Sequence, residues 1–280
     1  MTTLILPAPA KLNLFLHITG RRSDGYHLLQ TIFQLLDYGD SIQLTLRHDG
    51  VVRRVAGNES VSEHTDLMVR AAQLLKPFTP ASSGVEMAIN KVLPMGGGLG
   101  GGSSNAATVL VGLNQLWQCG LSTKQLAELG LKLGADVPVF VEGHTAWAEG
   151  VGEVLSPIDL PERWYLVVAP EAQVATREIF LHPDLTRNCE PIKMATFLNG
   201  ATQNVFESLV RKQHSNINQV FEVLNNCAKP RLTGSGACVF AEFDTKNAAT
   251  QIQQKLPKSW KTFVAKGVNQ SPLVTQLKLN

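Results

Sequence analysis

The stretch Pro94-Met95-Gly96-Gly97-Gly98-Leu99-Gly100-Gly101-Gly102-Ser103-Ser104-Asn105-Ala106-Ala107 constrains this chain more than any other. Six of the seven residues from 96 to 102 are glycine, so the backbone N–H groups of the loop can come close to an anion. A helical pattern follows at once, with Ala106, Leu110, Leu113 and Trp117 on one face. The loop therefore delivers its ligand to a helix N-terminus, where free N–H groups and the dipole favour negative charge, and phosphate is the expected anion. A Walker A loop would end in Gly-Lys-Ser/Thr, yet no lysine lies between Lys91 and Lys124. The Gly-x-Gly-x-x-Gly match at Gly96, Gly98 and Gly101 is one that almost any glycine run contains, and the βαβ rhythm of a dinucleotide fold is missing around it. A flexible linker is the plain alternative, but the strand-like run Val85–Ile89 before the loop and the amphipathic helix after it speak against one.

At 280 residues the chain has room for two domains with separate cores. Its 17% charged residues and net charge of +2 give no reason to expect a nucleic-acid or membrane surface, so an anionic ligand would be recognised locally. Cys119, Cys189, Cys227 and Cys238 are scattered without metal-ligand spacing, which fits reduced thiols in a cytoplasm. No long apolar run precedes Pro7, Pro9 and Lys11, so no signal peptide is expected. Residues 92–123 are uncharged, but the glycines, Asn105, Asn114 and Gln115 argue against a membrane span. Without a coiled-coil repeat, a monomer or weak homodimer is expected.

Residues 11–18 alternate as a strand, with Leu12, Leu14, Leu16 and Ile18 on one face and Lys11, Asn13, Phe15 and His17 on the other. Residues 41–46 and 51–55 read as strands. Residues 66–75 read as a helix capped by Asp66, with a stripe of Leu67, Ala71 and Leu74. Ser122 caps another helix, running through Leu126, Leu129 and Leu133 to Gly134. Pro157 and Pro161 bracket a boundary, dividing the chain into residues 1–156 and 157–280. Beyond it come a strand at 164–169, helices at 195–212 and 216–227, a strand at 237–243, a helix at 246–256 and a strand at 261–268. That order predicts an α+β sheet with helices on one face.

If the loop holds nucleotide phosphates, transfer of a phosphoryl group needs a residue to position and deprotonate the acceptor and positive charge for the transition state. Asp136, in Gly134-Ala135-Asp136-Val137-Pro138, offers a carboxylate on a tight turn, although the local sequence by itself favours a helix cap. Lys11 could be a solvated strand-edge lysine, but it opens a strand beside Asn13 in a segment otherwise free of charge. Asp24-Gly25-Tyr26-His27 is a turn followed by two side chains that can stack and hydrogen-bond, or simply serve structure. Leu232-Thr233-Gly234-Ser235-Gly236-Ala237 is either a bend allowing close backbone approach or a second wall of the phosphate site.

Three separated segments, Pro9-Ala10-Lys11-Leu12-Asn13-Leu14, the 94–107 loop and Leu232–Gly236, resemble in order the three signatures of the GHMP kinases. That resemblance implies a two-domain α+β fold: an N-terminal domain with a left-handed βαβ element, a ferredoxin-like C-terminal domain and an active site in the cleft between them. ATP would be the phosphoryl donor, with Mg2+. Asp136 would be the general base, paired with Lys11. Residues 94–103 with Ser104, Lys91 and Asp66 would bind ATP, and Ser104 would be a magnesium ligand. Asp66 stands where relatives carry Asn beside the adenine, and a carboxylate there can only accept hydrogen bonds. Thr19–His27, 94–107 and Gly134–Pro138 further resemble the branch whose acceptor is a cytidine diphosphate-linked methylerythritol, of the non-mevalonate isoprenoid pathway. In that branch Tyr26, His27 and Phe180 would frame the cytosine, while Asn13 and Thr176 would contact the substrate near the reacting hydroxyl.

Overall fold

The computed structural model describes residues 2–57 and 61–279, with side chains through 277. Two long strands, β1 (Thr3–Arg21) and β2 (His27–Arg47), form an antiparallel hairpin that runs the length of the molecule. The turn between them is set by Asp24, whose carboxylate accepts from the Tyr26 N–H at 3.1 Å, and by Gly25 at φ 90°. Next come β3 (Val52–Ala56), α1 (Leu67–Leu75) and β4 (Gly84–Asn90), a βαβ unit whose two strands pair in parallel. The helices α2 (Gly101–Leu116), α3 (Thr123–Leu131) and α4 (Val137–Glu142) follow, then the strand pair β5 (Ala146–Glu149) and β6 (Val154–Pro157).

The second half contains β7 (Trp164–Ala169), α5 (Thr176–Leu181), α6 (Met194–Leu198), α7 (Glu207–Gln213) and α8 (Ser215–Asn225). It continues through β8 (Arg231–Leu232), β9 (Val239–Phe243), α9 (Lys246–Gln253), β10 (Lys261–Val268) and α10 (Pro272–Leu279). Its strands lie in the order β10-β7-β9-β8, all antiparallel, which is the ferredoxin-like arrangement. Two residues of β10 also pair with β2, joining the halves into one sheet. Among the described residues no helix is long and apolar enough to cross a membrane.

One strand serves three cores. Leu6 and Ala8 of β1 pack with α1, α2 and α4; Leu12, Leu14 and Phe15 pack with Tyr165 and Phe240; Leu16 and Ile18 pack with α7 and α8. Register shifts between Pro9 and Lys11 and between Asn13 and Leu16 make this possible. They also break the expected alternation: Phe15 joins Leu12 and Leu14 in one core because the second shift turns the strand between them.

Two helical expectations are corrected. The run 195–212 is not one helix: α6 stops at Leu198 and α7 begins at Glu207. Between them the backbone of Gln203 and Val205 hydrogen-bonds to Leu16 of β1, a tertiary pairing that overrides local periodicity. In α1 the buried residues are Met68, Ala71, Ala72 and Leu75, with Leu67 and Leu74 only half-buried, because the helix is rotated to pack on α2. Asp66 does cap that helix, accepting from the Met68 N–H at 2.7 Å.

The chain closes by returning to its beginning. Leu273 of α10 is fully buried in the first core, and the Gln276 amide donates to the Ile5 carbonyl at 2.7 Å. Leu273→Ala should therefore cost about 3 kcal/mol, as for other cavity-forming truncations, and be felt by the first half of the molecule. Denaturant unfolding with hydrogen exchange on α2 is the measurement.

Candidate active site

The glycine loop forms an anion cradle. Gly96, Gly98 and Gly100 take left-handed φ values of 69°, 79° and 71°, alternating with residues in ordinary conformations. Such alternation is the backbone pattern of an anion-binding nest, and Gly100 leads into α2 without any side-chain cap. The N–H groups of the first turn of α2 are thus left for a ligand. The loop lines a cavity of about 410 Å3 together with Val61, Asp66, Leu67, Ile89 and Lys91.

A second glycine turn holds the first in place. A Cβ on Gly236 would run into Gly98 N, Gly97 C and Gly96 O, and one on Gly98 would meet the Thr233 carbonyl. The Cys238 N–H donates to Gly97 O at 3.1 Å and the Thr233 hydroxyl to Gly98 O at 3.3 Å. Gly234 and Ser235 also line a second, larger cavity of about 900 Å3. Of the two readings of the 232–237 segment, the close backbone approach is the one the contacts show, while Gly234 and Ser235 wall the larger cavity instead of the loop's own.

Lys11 and Asp136 stand where the two cavities meet. The Lys11 ammonium lies 3.2 Å from the Asp136 carboxylate, and it donates to Asn13 Oδ1 at 2.6 Å and to Gly98 O at 3.0 Å. Its side chain is 3% exposed, while that of Asp136 is 34% exposed and opens into the larger cavity. Asp136 occupies the cap position of α4 but makes no side-chain capping bond, so its carboxylate is committed to the cavity. Gly98, Gly100 and Ser103 line both cavities. Asn13 is fixed in turn by its amide donating to Thr31 Oγ1 at 2.9 Å, and its backbone N–H donates to Thr233 Oγ1 at 3.0 Å.

The far end of the larger cavity carries aromatic rings. His27 and Phe180 lie 5.1 Å apart, centroid to centroid, and the exposed Tyr26 lines the same space. Thr176, one helical turn before Phe180 on α5, accepts a hydrogen bond from the Ser235 hydroxyl at 3.2 Å. Burial lowers the His27 pKa from its ordinary value, and the positive charges of Arg187 and Arg21 lower it further.

The remaining expected residues divide. Pro94, Met95, Gly96, Gly97, Leu99, Gly101 and Gly102 all line the smaller cavity. Lys91 lines it too, but its ammonium is held by Asp40 at 2.6 Å. Asp66 is 5% exposed, and its carboxylate is shared between the Met68 N–H and Arg54, at 2.5 Å. Ser104 does not fit the role of metal ligand: it is fully buried on the inner face of α2, lines neither cavity, and its Oγ has no hydrogen-bond partner. Ser103, turned about 100° around the helix, faces both cavities instead. Among the described residues no three His, Cys, Asp or Glu side chains gather as metal ligands. The sequence reading missed Asp40, whose buried carboxylate accepts from Lys91 and from the N–H groups of Val92 and Leu93, both at 2.9 Å. It also missed Arg187, which donates to His27. Neither carries a local signal, since both act through partners far away in sequence.

Two family models match this chain: the GHMP kinases N-terminal domain over residues 66–144 and the GHMP kinases C-terminal domain over residues 185–262. Together they span more than half of it, and the chain belongs to the GHMP kinases, a family of phosphotransferases that use ATP. Among solved structures, a 4-(cytidine 5'-diphospho)-2C-methyl-D-erythritol kinase is similar with a TM-score of 0.80 and 28% identity, over 95% of this chain and 100% of that one. A homoserine kinase from Cytophaga hutchinsonii (TM-score 0.69, 17% identity, 97% and 96% covered) shares the fold. So does the mevalonate kinase of Methanococcus jannaschii (TM-score 0.69, 14% identity, 96% and 99% covered).

Two outcomes follow from the geometry. Gly236→Ala must displace the glycine loop, and kcat/KM should fall on the order of a hundredfold, the effect of a misplacement of about 1 Å; steady-state kinetics on a folded variant measures it. In addition, the folded chain disfavours the His27 imidazolium, so the unfolded chain binds more protons below the ordinary histidine value of 6.5. Stability should drop as pH falls through that value, and His27→Asn should flatten this part of the melting temperature–pH curve.

Proposed function

We propose that this GHMP kinase transfers the γ-phosphoryl group of ATP to the 2-hydroxyl of 4-diphosphocytidyl-2-C-methyl-D-erythritol, giving the 2-phosphate and ADP. It would act as a cytoplasmic monomer or weak dimer in the non-mevalonate isoprenoid pathway. The observation that carries the reading is the Lys11–Asp136 pair at the junction of two cavities, one built for phosphates and one ending in the rings of His27 and Phe180. The similarity at 28% identity to a kinase of that substrate supports it.

In this reading the ATP phosphates lie on the N–H groups of the loop 96–102 and the first turn of α2, where the backbone dipoles offset their charge. The base and ribose occupy the part of the smaller cavity lined by Val61, Leu67 and Ile89, beside Asp66 and Lys91. Tyr26 and Phe180 offer ring faces to cytosine and His27 a polar edge, while Asn13 and Thr176 border the reacting end. Asp136 orients the acceptor hydroxyl and receives its proton as the new O–P bond forms and the bond from the γ-phosphorus to the bridging oxygen breaks. Lys11, bonded to both Asp136 and the Gly98 carbonyl, supplies positive charge beside the transferring group. Among the described residues no side chains compose a metal cage, so magnesium would arrive on the nucleotide phosphates, with Ser103 and Asp136 as cavity-lining oxygen donors that could complete its shell.

A coupled ADP-release assay over the cytidine substrate, homoserine and mevalonate tests the reading. The cytidine substrate should be turned over with the highest kcat/KM, because the aromatic end of a 900 Å3 cavity has nothing to hold in a small alcohol. Asp136→Asn should lower kcat by roughly 10²- to 10⁴-fold while leaving substrate affinity largely intact. Faster turnover of homoserine or mevalonate would replace the acceptor. Unimpaired turnover in Asp136→Asn would sink the mechanism.

A further inference from the structure

Arg187 sits in the loop between α5 and α6 and is half-buried, yet among the described residues no carboxylate lies within 4.0 Å of its guanidinium. Its donors are spent otherwise. Nη2 donates to the carbonyls of Phe180 and His182 at 2.8 and 2.7 Å, Nη1 to Leu185 O at 3.1 Å, and Nε to His27 Nε2 at 3.3 Å. The loop that carries it is tied to the hairpin: the Cys189 N–H donates to Ile18 O at 2.8 Å, and the Ile192 N–H to Gln30 Oε1 at 2.8 Å. One guanidinium therefore couples the end of α5, which carries Phe180, to the imidazole of β2 that faces Phe180.

The chemistry of this contact is directional. A guanidinium has only donors, so the imidazole nitrogen that it meets must offer a lone pair. Nε2 is then unprotonated, and the neutral ring carries its hydrogen on Nδ1. An imidazolium would set an N–H against the Arg187 N–H, in line with the lowered pKa of His27. Nδ1–H has no hydrogen-bond partner among the described residues, and His27 lines the larger cavity. A pyrimidine entering that cavity thus meets a donor whose character is fixed before binding. Cytosine presents N3 as an acceptor, whereas uracil carries a hydrogen there.

We propose that Arg187 is a positioning residue that locks His27 as an Nδ1–H donor, and thereby selects cytosine over uracil in the acceptor substrate. The inference rests on the reading of the larger cavity as a base site. A site whose donor is fixed leaves it unpaired against the wrong base, which is how one hydrogen bond becomes discrimination.

The test combines nitrogen NMR of 15N-histidine-labelled protein with calorimetric binding of CDP and UDP, the smaller cavity being filled with ADP. The wild type should show His27 in the Nδ1–H tautomer and bind CDP on the order of tenfold or more tighter than UDP, the worth of one hydrogen bond. Arg187→Gln should leave His27 in a mixture of tautomers and bring the CDP to UDP ratio close to one. Arg187→Lys, which can only donate whereas the Gln amide can donate or accept, should recover part of the ratio. An Nε2–H tautomer in the wild type, or an unchanged ratio in Arg187→Gln, would overturn the proposal. If Arg187→Gln does not fold, the wild-type tautomer and the Arg187→Lys ratio decide. If neither nucleotide binds the wild type, the base-site reading and the selectivity fall together, and the tautomer measurement still judges what Arg187 does to His27.

Discussion

A buried ammonium has to be answered by oxygen atoms, and the Lys11 side chain, 3% exposed, draws them from its own strand and from two distant parts of the chain. Asn13 comes from its own strand, Gly98 from the loop before α2, and Asp136 from the turn before α4. Removing any of them leaves charge uncompensated, so the hairpin, the loop and α4 are bound to a common geometry. The same demand keeps Asp136 from capping its helix and leaves its second face to the cavity. Structure and chemistry depend on one contact.

Around that contact the packing is unusual in being backbone on backbone. Gly98 and Gly236 approach so closely that a methyl group on either would collide with the other turn. The glycines thus serve twice, giving the loop its left-handed residues and letting the second half of the molecule press against it. Asn204 continues the chain of support, its amide donating to Leu232 O at 2.9 Å and to Gly234 O at 2.8 Å. Asp40 performs the corresponding task on the other side, holding Lys91 and the backbone that leads into the loop. The cradle has few side chains of its own and is rigid because its neighbours are.

The two cavities divide the chemistry by charge. The smaller one is lined by the glycine loop and a helix N-terminus, and its one carboxylate among the described residues, Asp66, is paired with Arg54. The larger one holds Asp136 at one end and aromatic rings at the other, with Arg187 behind His27 donating to its imidazole. Homoserine and mevalonate kinases share the fold at 14–17% identity. The Tyr26–His27 turn and α5 line the aromatic end of the larger cavity.

Much of this was legible in the sequence where chemistry is local. The glycine run, the caps at Asp66 and Ser122 and an α+β sheet in the second half follow from residue types and spacing, and all appear in the structure. Local pattern misled where a distant partner decides. Residues 195–212 have helical periodicity, but pairing with Leu16 splits them. Ser104 has the chemistry of a ligand, but helix phase buries it and exposes Ser103. Asp136 reads locally as a cap and is turned into the cavity by Lys11, 125 positions earlier in the chain. The sequence alone determined that a glycine loop leads into an uncapped helix N-terminus, the setting that suits an anion. Only the tertiary structure decided which carboxylate faces it, because a side chain's role there is set by partners that folding brings from elsewhere.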